Sequence, residues 1–508
     1  MRLLKRLLLV LAVGAALSAS AFVLLVGPWP VYRNAGYKDA AYFREAVAGL
    51  DSAAAQSGNG RTAGALTAGW AERDITPEPG HPMAGYGSRP NNMLSKGVRE
   101  RLFVRAAALS DGADTVVLVG SDMLQTLPNL LEMVEPVVAR ETGLTNANIM
   151  YTSSHTHCGP GGLAPGFAAE ASYGPHDPAY VARLADAFAG AIVEAVRGMA
   201  PARIAHCAVD APEFIRNRAR RDGAVDSTLN CAVIERADGA RLNLARYSAH
   251  GTAFGEEMLE FNNDWCGAFQ RHVAERTGAP LLYMGGAVGA MRPFPPGPPP
   301  LPEPATRDQE MGFENDVESA LVRDGKKTGE QLLADQAARM DNMGRALAEK
   351  FAAAAASAVF TDTADIASAE VFYDPPPAQV RLVSKHWRLS PFLFHLLGIP
   401  PRGRMQAARI GDLFLVGMPY DFGGEVSRDW QDWAAKQGMR LWVTSFSGAY
   451  LGYLSPDRFH WDIGEQYPYN QNYELGQMGW FGPNQEAYVT DLFQRLFAGM
   501  TPAPPAAG

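Results

Sequence analysis

Two histidines separated by a single residue are the part of this sequence whose types and spacing point most directly to chemistry. His155 and His157 follow the apolar residues 149–151 and lead into a glycine-rich stretch that ends at Gly162. Side chains of an extended strand alternate between its two faces, so histidines at positions i and i+2 share one face. The glycines allow the backbone to approach a ligand closely. The pair fits one side of a metal site, and it equally fits two polar histidines in a loop.

A third histidine, His250, follows the apolar run 242–248 and precedes Gly251. The end of a strand is where α/β enzymes place ligands, although a hydrogen-bonded structural histidine fits the same position. Taken together, three histidines at strand ends are the beginning of a zinc site. A catalytic zinc takes three or four nitrogen or oxygen ligands and keeps one position open for a water whose pKa falls to about 7. Oxygen ligands are expected later in the chain, where Asp421, Tyr450 and Tyr453 follow apolar runs.

Composition excludes several classes of protein. The 508 residues are 47% hydrophobic and 19% charged, which is typical of a globular protein. The net charge is −9 and no cluster of Lys and Arg stands out, so we expect no nucleic-acid partner. There are four cysteines and no C-x-x-C pair. Cys207 and Cys231 lie in strand-like segments, where either a disulfide in an oxidising compartment or two small buried side chains is consistent with the pattern.

The N-terminus carries a targeting signal. Arg2, Lys5 and Arg6 precede the uncharged residues 7–26. Twenty helical residues reach about 30 Å, the thickness of a bilayer core. Positive charge on the short N-terminal side of this uncharged segment predicts that the residues after it lie outside the cytoplasm, in the periplasm or the extracellular space. We therefore predict an uncleaved membrane anchor over residues 1–32, with secretion after cleavage near Ala21 as the alternative.

The elements that must position these residues alternate between strands and helices, which predicts an α/β fold with a mixed sheet. Residues 33–66 read as an Ala-rich helical stalk or linker with a flexible joint, and residues 67–500 as the catalytic domain. A proline-rich insertion is expected at about 292–305, and residues 501–508 as a disordered tail. The apolar segment 390–399 is too short to span a membrane and is either a lipid-facing surface or buried core. Expected strands are 115–120, 148–152, 203–209, 231–235, 242–248, 281–285, 413–417 and 441–446, and expected helices are 130–142, 178–199 and 331–358.

Four motifs, in this order along the chain, resemble those of the neutral/alkaline non-lysosomal ceramidases. They are W-A-E-R-D-I-T-P at 70–77 with M-A-G-Y at 83–86, H-T-H-x-G-P-G-G from His155, H-G-T from His250, and Y-x-x-Y from Tyr450 followed by Y-E at 473–474. The resemblance implies a zinc hydrolase of an N-acyl bond in a lipid. Its implied zinc ligands are His155, His250, Asp421 and Tyr453.

The resemblance also implies roles for residues around the metal. His157 is expected beside the zinc, where it steers the water, donates to the oxyanion or protonates the leaving amine. Arg218 corresponds to a substrate-facing arginine region, and Tyr450 is expected to contact the scissile amide. Zinc together with Tyr450 or His157 would stabilise the tetrahedral oxyanion.

The sequence departs from the family pattern in three places. Asp421 stands where the family has glutamate, so the loop that carries it must come closer to the metal. Arg292 stands where the family has an active-site serine, which leaves metal-activated water as the nucleophile. The family's C-terminal immunoglobulin-like domain is expected to be missing.

Arg292 also widens the choice of substrate, because its guanidinium would pair with an anionic head group or carboxylate. Cleavage of a lipid N-acyl bond is the first hypothesis. A zinc hydrolase of another amide or ester is the second. The third is a non-catalytic, lipid-binding descendant of the fold.

Overall fold

The computed structural model describes residues 2–27, 36–57, 63–87, 89, 93–220, 223–295, 321–384, 387–396, 402–462 and 473–501. The helices are α1 (Arg2–Leu25), α2 (Ala41–Gln56), α3 (Pro128–Thr142), α4 (Phe167–Tyr173), α5 (Pro178–Arg197), α6 (Asp264–Thr277), α7 (Gly329–Ala356), α8 (Pro391–Leu396), α9 (Gly424–Ala435), α10 (Asp457–Asp462), α11 (Tyr473–Gly476) and α12 (Gln485–Met500). The strands are β1 (Val26–Gly27), β2 (Gly64–Ala65), β3 (Thr67–Asp74), β4 (Gly97–Val98), β5 (Phe103–Ser110), β6 (Thr115–Ser121), β7 (Ile149–Ser153), β8 (Ala200–Asp210), β9 (Ile215–Asn217), β10 (Thr228–Arg236), β11 (Arg241–Tyr247), β12 (Glu260–Phe261), β13 (Leu281–Gly285), β14 (Met291–Pro293), β15 (Phe360–Thr361), β16 (Thr363–Ala364), β17 (Ile366–Tyr373), β18 (Arg381–Ser384), β19 (Trp387–Leu389), β20 (Gly403–Ile410), β21 (Leu413–Gly417), β22 (Asp421–Phe422), β23 (Arg440–Thr444) and β24 (Tyr453–Leu454).

Local sequence signals place several of these elements where they were predicted. The expected mixed α/β architecture is confirmed, and β13 and β21 begin and end at the expected residues. Helix α5 begins with Pro178, and the side chain of Asp177 accepts hydrogen bonds from the backbone N–H groups of Ala179 and Tyr180, both at 3.0 Å. A proline in the first turn and an aspartate cap satisfy the free N–H groups at a helix start.

Two sheets form the centre of the fold within the described residues. The larger has the strand order β13-β11-β10-β8-β3-β5-β6-β7, with β15 paired to β8. The smaller has the order β17-β20-β21-β23. Most neighbours are antiparallel, whereas β6–β7, β11–β13 and β21–β23 are parallel. Parallel neighbours need a crossover, and the helices α3, α6 and α9 lie in those connections.

The two sheets pack face to face between outer layers of helices. Side chains such as Leu118 and Leu244 from the larger sheet meet Leu415 and Trp442 from the smaller in one buried apolar cluster. The outer face of the larger sheet packs against α3, α5, α6 and α7, and the outer face of the smaller against α2, α9 and α12. Each sheet is thus buried on both faces, which accounts for the nearly continuous apolar runs in their strands.

The same local topology occurs three times in the two sheets. In each case an antiparallel hairpin is followed by a helix and by a third strand parallel to the second: β5-β6-α3-β7, β10-β11-α6-β13 and β20-β21-α9-β23. Each unit contributes residues to the same end of the sandwich.

The N-terminal region is attached to the rest of the chain. Among the described residues, one helix, with its apolar window at Leu4–Leu25, is long and apolar enough to cross a membrane. Strand β1 continues from it and pairs with β19. Helix α2 was expected to be a stalk, but its buried Phe43, Ala46 and Leu50 pack in the cluster that covers the smaller sheet. An amphipathic pattern predicts a helix but does not indicate which surface the helix covers.

Cys207 and Cys231 lie opposite each other on β8 and β10, and both are free thiols. Of the two possibilities that the sequence left open, the structure therefore has unpaired thiols and no disulfide at this pair, with Cys231 buried and Cys207 half-buried. Most of the proline-rich insertion, the joint 58–62 and the tail from 502 lie outside the described residues.

Candidate metal centre

Loops from all three hairpin-and-crossover units meet at one end of the sandwich. His155 follows β7 and His250 lies in the loop after β11, both in the larger sheet, while Asp421 lies just beyond β21 in the smaller. The backbone of Thr156 forms a parallel bridge to Gly251, and the N–H of His157 donates to the carbonyl of Gly251 at 3.0 Å. The two histidine segments are therefore held side by side.

The backbone of this loop is strained where the first histidine lies. His155 has a positive φ of 59°, a conformation that non-glycine residues rarely adopt. Its N–H donates to the carbonyl of Met123 at 3.0 Å, which helps to fix the turn. Gly251 must be a glycine, because a Cβ there would lie 2.4 Å from the carbonyl oxygen of His155. Strain that is held in place by its surroundings is typical of functional sites.

Hydrogen bonds orient the imidazoles of His155 and His250. Nδ1 of His155 lies 2.8 Å from the carbonyl oxygen of Leu124, and Nδ1 of His250 lies 3.2 Å from that of Val288. A carbonyl oxygen only accepts, so Nδ1 is the donor in both rings and each Nε2 keeps its lone pair. The ring of Phe446 stacks on His155 with centroids 4.0 Å apart and fixes the plane of that imidazole.

The Nε2 atoms converge. Nε2 of His157 lies 3.3 Å from that of His155 and 3.2 Å from that of His250. Burial lowers the pKa of His157 and of His250 well below the usual value for histidine, and the nearby Arg218 acts in the same direction. Burial is the largest cause for both rings. The neutral rings direct lone pairs to a common point, which is the protonation state that a metal requires.

A carboxylate completes the cluster. Oδ1 of Asp421 lies 3.1 Å from Nε2 of His155 and 3.9 Å from Nε2 of His250. Asp421 is 1% exposed, and its Oδ1 has no hydrogen-bond partner within the described part of the chain. The hydroxyl of Tyr450 donates to its other oxygen, Oδ2, at 2.6 Å. A buried carboxylate oxygen without a partner costs free energy unless a cation or donor meets it.

Tyr453 lies beside this carboxylate. In the parallel pair β22–β24 its Cα is the partner of the Cα of Asp421. Its phenol oxygen accepts a hydrogen bond from Arg218 at 3.1 Å, and the same guanidinium donates to Oε1 of Glu474 at 2.5 Å. Burial raises the pKa of Glu474 although the adjacent Arg218 opposes the shift. Arg218 is thus turned toward residues of the site.

The donor set fits a zinc ion. Atoms bound tetrahedrally at about 2.0–2.1 Å from zinc lie about 3.3 Å from one another. Four of the six separations among the donor atoms of His155, His157, His250 and Asp421 lie between 3.1 and 3.9 Å, close to that value. The three histidine nitrogens all lie within 4.8 Å of one another. Three imidazole nitrogens with one carboxylate oxygen are a donor set that zinc accepts, as do other transition metals.

The structure brings most of the predicted residues together, with two differences from the expected arrangement. His157 is expected beside the metal, and its Nε2 lies within the cluster, 3.3 Å from that of His155 and 3.2 Å from that of His250. Tyr450, expected against the scissile amide, holds the second oxygen of Asp421. Arg292 lies on β14, opposite Arg216 of β9 and next to Met291, whose carbonyl accepts from the N–H of His250 at 2.9 Å. The roles of these residues in catalysis stay predictions.

Sequence reasoning missed residues that support the cluster from outside it. The guanidinium of Arg89 donates to the carbonyls of His157 at 2.5 Å and Ala84 at 2.7 Å and so holds the histidine loop against the M-A-G-Y segment. Gly85 in that segment has a φ of 110°, and a Cβ there would lie 2.8 Å from atoms of His157. Arg89 and His157 are 68 residues apart in the sequence, and a single arginine gives no local signal of a contact at that separation.

A mixed α/β fold gathers three histidines, two of them buried, and a carboxylate at one end of two sheets, and this arrangement could hold a metal ion. Residues 66–222 match the model of the family described as neutral/alkaline non-lysosomal ceramidase, N-terminal. The resemblance to this family that the motifs indicated is confirmed.

Two solved structures share the fold. The neutral ceramidase from Pseudomonas aeruginosa has a TM-score of 0.65 and 18% identity, over 87% of this chain and 76% of that one. A structure described as a ceramidase complexed with C2 has a TM-score of 0.64 and 18% identity, over 87% and 77%. Among curated protein sequences, none matches this chain.

Proposed function

We propose that this chain is a zinc-dependent hydrolase that cleaves the amide bond of an N-acylated lipid of the ceramide type. The observation that carries the proposal is the buried convergence of three histidine nitrogens with the unpartnered Oδ1 of Asp421. The ceramidase family match over residues 66–222 and the shared fold support the choice of an amide substrate.

His155, His250, Asp421 and Tyr453 would hold the zinc, with the imidazole of His157 in the same cluster. Zinc, when bound, supplies Lewis-acid polarisation of the substrate carbonyl and lowers the pKa of a water. Tyr450 fixes the orientation of Asp421 through its hydroxyl. Arg218 donates to the phenol oxygen of Tyr453 and keeps that ring at the site.

His157 is the residue that we assign to proton transfer. It is neutral because burial lowers its pKa, and it is less buried than its two neighbours in the cluster. A neutral imidazole next to the reacting carbonyl can take a proton from the attacking water and return it to the leaving amine. Its Nε2 faces His155 and His250, whereas its Nδ1 has no hydrogen-bond partner among the described residues, so Nδ1 is the nitrogen that we assign to the transfer.

Arg292 supports a second candidate, in which the amide or ester substrate carries an anion. The residue lies one position beyond Met291, whose backbone is bonded to His250. An anionic head group near β14 would pair with its guanidinium in a bidentate contact that lysine cannot reproduce.

We also propose that α1 stays attached as an anchor and that the catalytic fold lies outside the cytoplasm. The basic residues Arg2, Lys5 and Arg6, which precede the uncharged residues 7–26, support this orientation. Strand β1 continues from α1 and pairs with β19, so the end of the helix is attached to the fold.

The test is zinc content and amide hydrolysis of the full-length protein purified in detergent. We expect about one zinc per chain and release of fatty acid from an N-acyl sphingoid lipid. His155→Ala and His250→Ala should each lose both properties. His206→Ala, a matched change on β8 outside the cluster, should keep both.

Zinc retained near one per chain in both cluster variants would refute the ligand assignment. Stoichiometric zinc in a wild-type protein that hydrolyses none of a panel of neutral and acidic amides and esters would instead favour the non-catalytic, lipid-binding alternative.

A further inference from the structure

We propose that helix α8 rests in the membrane interface through Phe392 and Leu396, and that a lipid passes from there to the metal centre along a row of aromatic side chains. The partner is a bilayer surface. The passage of a lipid to the metal centre rests on the proposed function. The contact of α8 with the membrane rests on the contacts of α1.

The first step is the depth at which α8 lies. The apolar window Leu4–Leu25 has 22 residues and spans about 33 Å at 1.5 Å per residue, so Leu25 marks the outer edge of the apolar layer. The backbone N–H of Ser390, directly before α8, donates to the carbonyl of Leu25 at 2.8 Å. Helix α8 therefore begins at the level where the chain leaves the bilayer core.

The second step is that this attachment involves more than one contact. Val26 pairs with Leu389 and Gly27 with Arg388 in the sheet β1-β19-β18. One turn before the end of α1, the ring of Phe22 lies 5.9 Å from that of Trp387. Tryptophan at the end of a membrane span is typical of the headgroup region, where its ring is partly apolar and its N–H is hydrated.

The third step is the exposed face of α8. Phe392 is 66% exposed and Leu396 is 63% exposed, and the two are four residues apart, on one side of the helix. Phe394, on the other side, is buried in the cluster of the smaller sheet. Scattered apolar residues are normal on a protein surface, but here a pair of them adjoins the end of an apolar span.

The fourth step is the connection to the site. The ring of Phe394 lies 6.0 Å from that of Trp480, and Trp480 lies 5.4 Å from Tyr450. The hydroxyl of Tyr450 contacts Asp421 at 2.6 Å. An aromatic row thus leads from the membrane-facing helix to the carboxylate of the cluster. An acyl chain that enters along this row would keep its contact with apolar surface until the amide reaches the metal.

The experiment measures depth in the full-length protein, reconstituted in phosphatidylcholine vesicles. A nitroxide label is placed at Phe392→Cys, with Cys207→Ser in the background to remove the half-buried thiol. Val359→Cys is the matched control, since Val359 is also an exposed hydrophobe, at 85%. We expect the label at 392 to collide more with oxygen than with a water-soluble nickel chelate, and the label at 359 to do the opposite.

A label at 392 that meets the nickel chelate as often as the label at 359 would overturn the inference, because the face would then be in water. A label shielded from both reagents would also overturn it, because a protein surface, such as a second copy of the chain, would then cover α8. An intact mass that lacks α1 in the purified protein would overturn it as well.

A kinetic arm tests the aromatic route. Phe392→Ser combined with Leu396→Ser should lower the ratio of turnover on a long-chain N-acyl lipid in vesicles to turnover on a water-soluble short-chain amide by about tenfold. Val359→Ser should leave this ratio unchanged, and an unchanged ratio in the double variant would overturn the route. If the label at 392 lies in lipid while no amide is hydrolysed by the wild type, the surface stands and the proposed function fails.

Discussion

Substituting Tyr450 by phenylalanine separates two roles for its hydroxyl. The resemblance to ceramidases implies that Tyr450 contacts the scissile amide, whereas the structure joins its hydroxyl to Oδ2 of Asp421 at 2.6 Å. If the hydroxyl mainly orients the carboxylate, Tyr450→Phe should weaken metal binding. If it mainly contacts the substrate, the change should slow catalysis and leave metal binding intact.

The magnitude follows from the kind of hydrogen bond. Asp421 is 1% exposed, so solvent does little to replace the lost donor. A hydrogen bond to a charged group contributes about 1.5–3 kcal/mol, and each 1.4 kcal/mol is about a tenfold change in an equilibrium constant. This gives a rise of about 10–150-fold in the zinc Kd, in line with the roughly 10–100-fold loss that follows removal of groups that support a metal ligand.

The assay is competition for zinc with a chelator of known affinity, followed by kcat at saturating zinc. We expect the Kd to rise by about 10–100-fold and kcat to stay within about threefold of wild type. Tyr373→Phe is the control, since this buried tyrosine donates to the hydroxyl of Tyr420 at 2.8 Å, in the second core cluster. An unchanged zinc Kd together with a large fall in kcat would refute the reasoning. Tyr450 would then act on the substrate and not on the metal ligand.

Three further changes test other parts of the structure. Asp226→Ala leaves the buried guanidinium of Arg246 without its partner at 2.5 Å, so the free energy of unfolding in a denaturant titration should fall by about 3–5 kcal/mol. Burial raises the pKa of Asp264 from 3.8 to about 6, so the folded state binds this proton more tightly than the unfolded state and stability falls as pH rises from about 4 to 6; Asp264→Asn should flatten that fall. Arg292→Ala should lower kcat/KM for acidic N-acyl substrates and leave neutral ones no worse, with Arg292→Lys recovering part of the loss.

Each of these outcomes has a comparison that can contradict it. Asp412→Ala removes an exposed ion pair with Arg440 and should change stability by less than about 1 kcal/mol, so an equal loss in both aspartate variants would show that burial is not the cause. An unaltered pH slope in Asp264→Asn would assign the slope to other groups. Equal losses of kcat/KM on acidic and neutral substrates in Arg292→Ala would show that Arg292 has a structural role and does not select the substrate.

The sequence was informative where the signal is local. His155, His250 and Asp421 each follow an apolar strand, and the ends of strands are where α/β folds place ligands, so each of the three segments could be identified as a candidate. The two-sheet sandwich could not, because alternating strands and helices do not state which sheet a strand joins. Contacts between remote residues, such as Arg218 with Glu474, and the stacking of Phe446 on His155 are likewise invisible in a single sequence.

The fold uses one topology three times within the two sheets. The three units share hairpin and crossover geometry while their core side chains differ, since apolar residues of similar volume can substitute for one another. Repetition of backbone topology therefore left no trace that a comparison of residue types would detect.

The distribution of the candidate ligands between the two sheets has a consequence for how the protein opens. His155 and His250 extend from the larger sheet and Asp421 from the smaller. A bound ion would therefore link the two layers by coordination, in addition to the packing and hydrogen bonds that join them at this end. Without it, the lone pairs and the carboxylate would face one another with no cation between them, which would weaken the contact between the two layers. Chelation should then speed amide hydrogen exchange at the ends of β7 and β21 before it affects the outer helices, and zinc binding would report on closure of the sandwich as well as on chemistry.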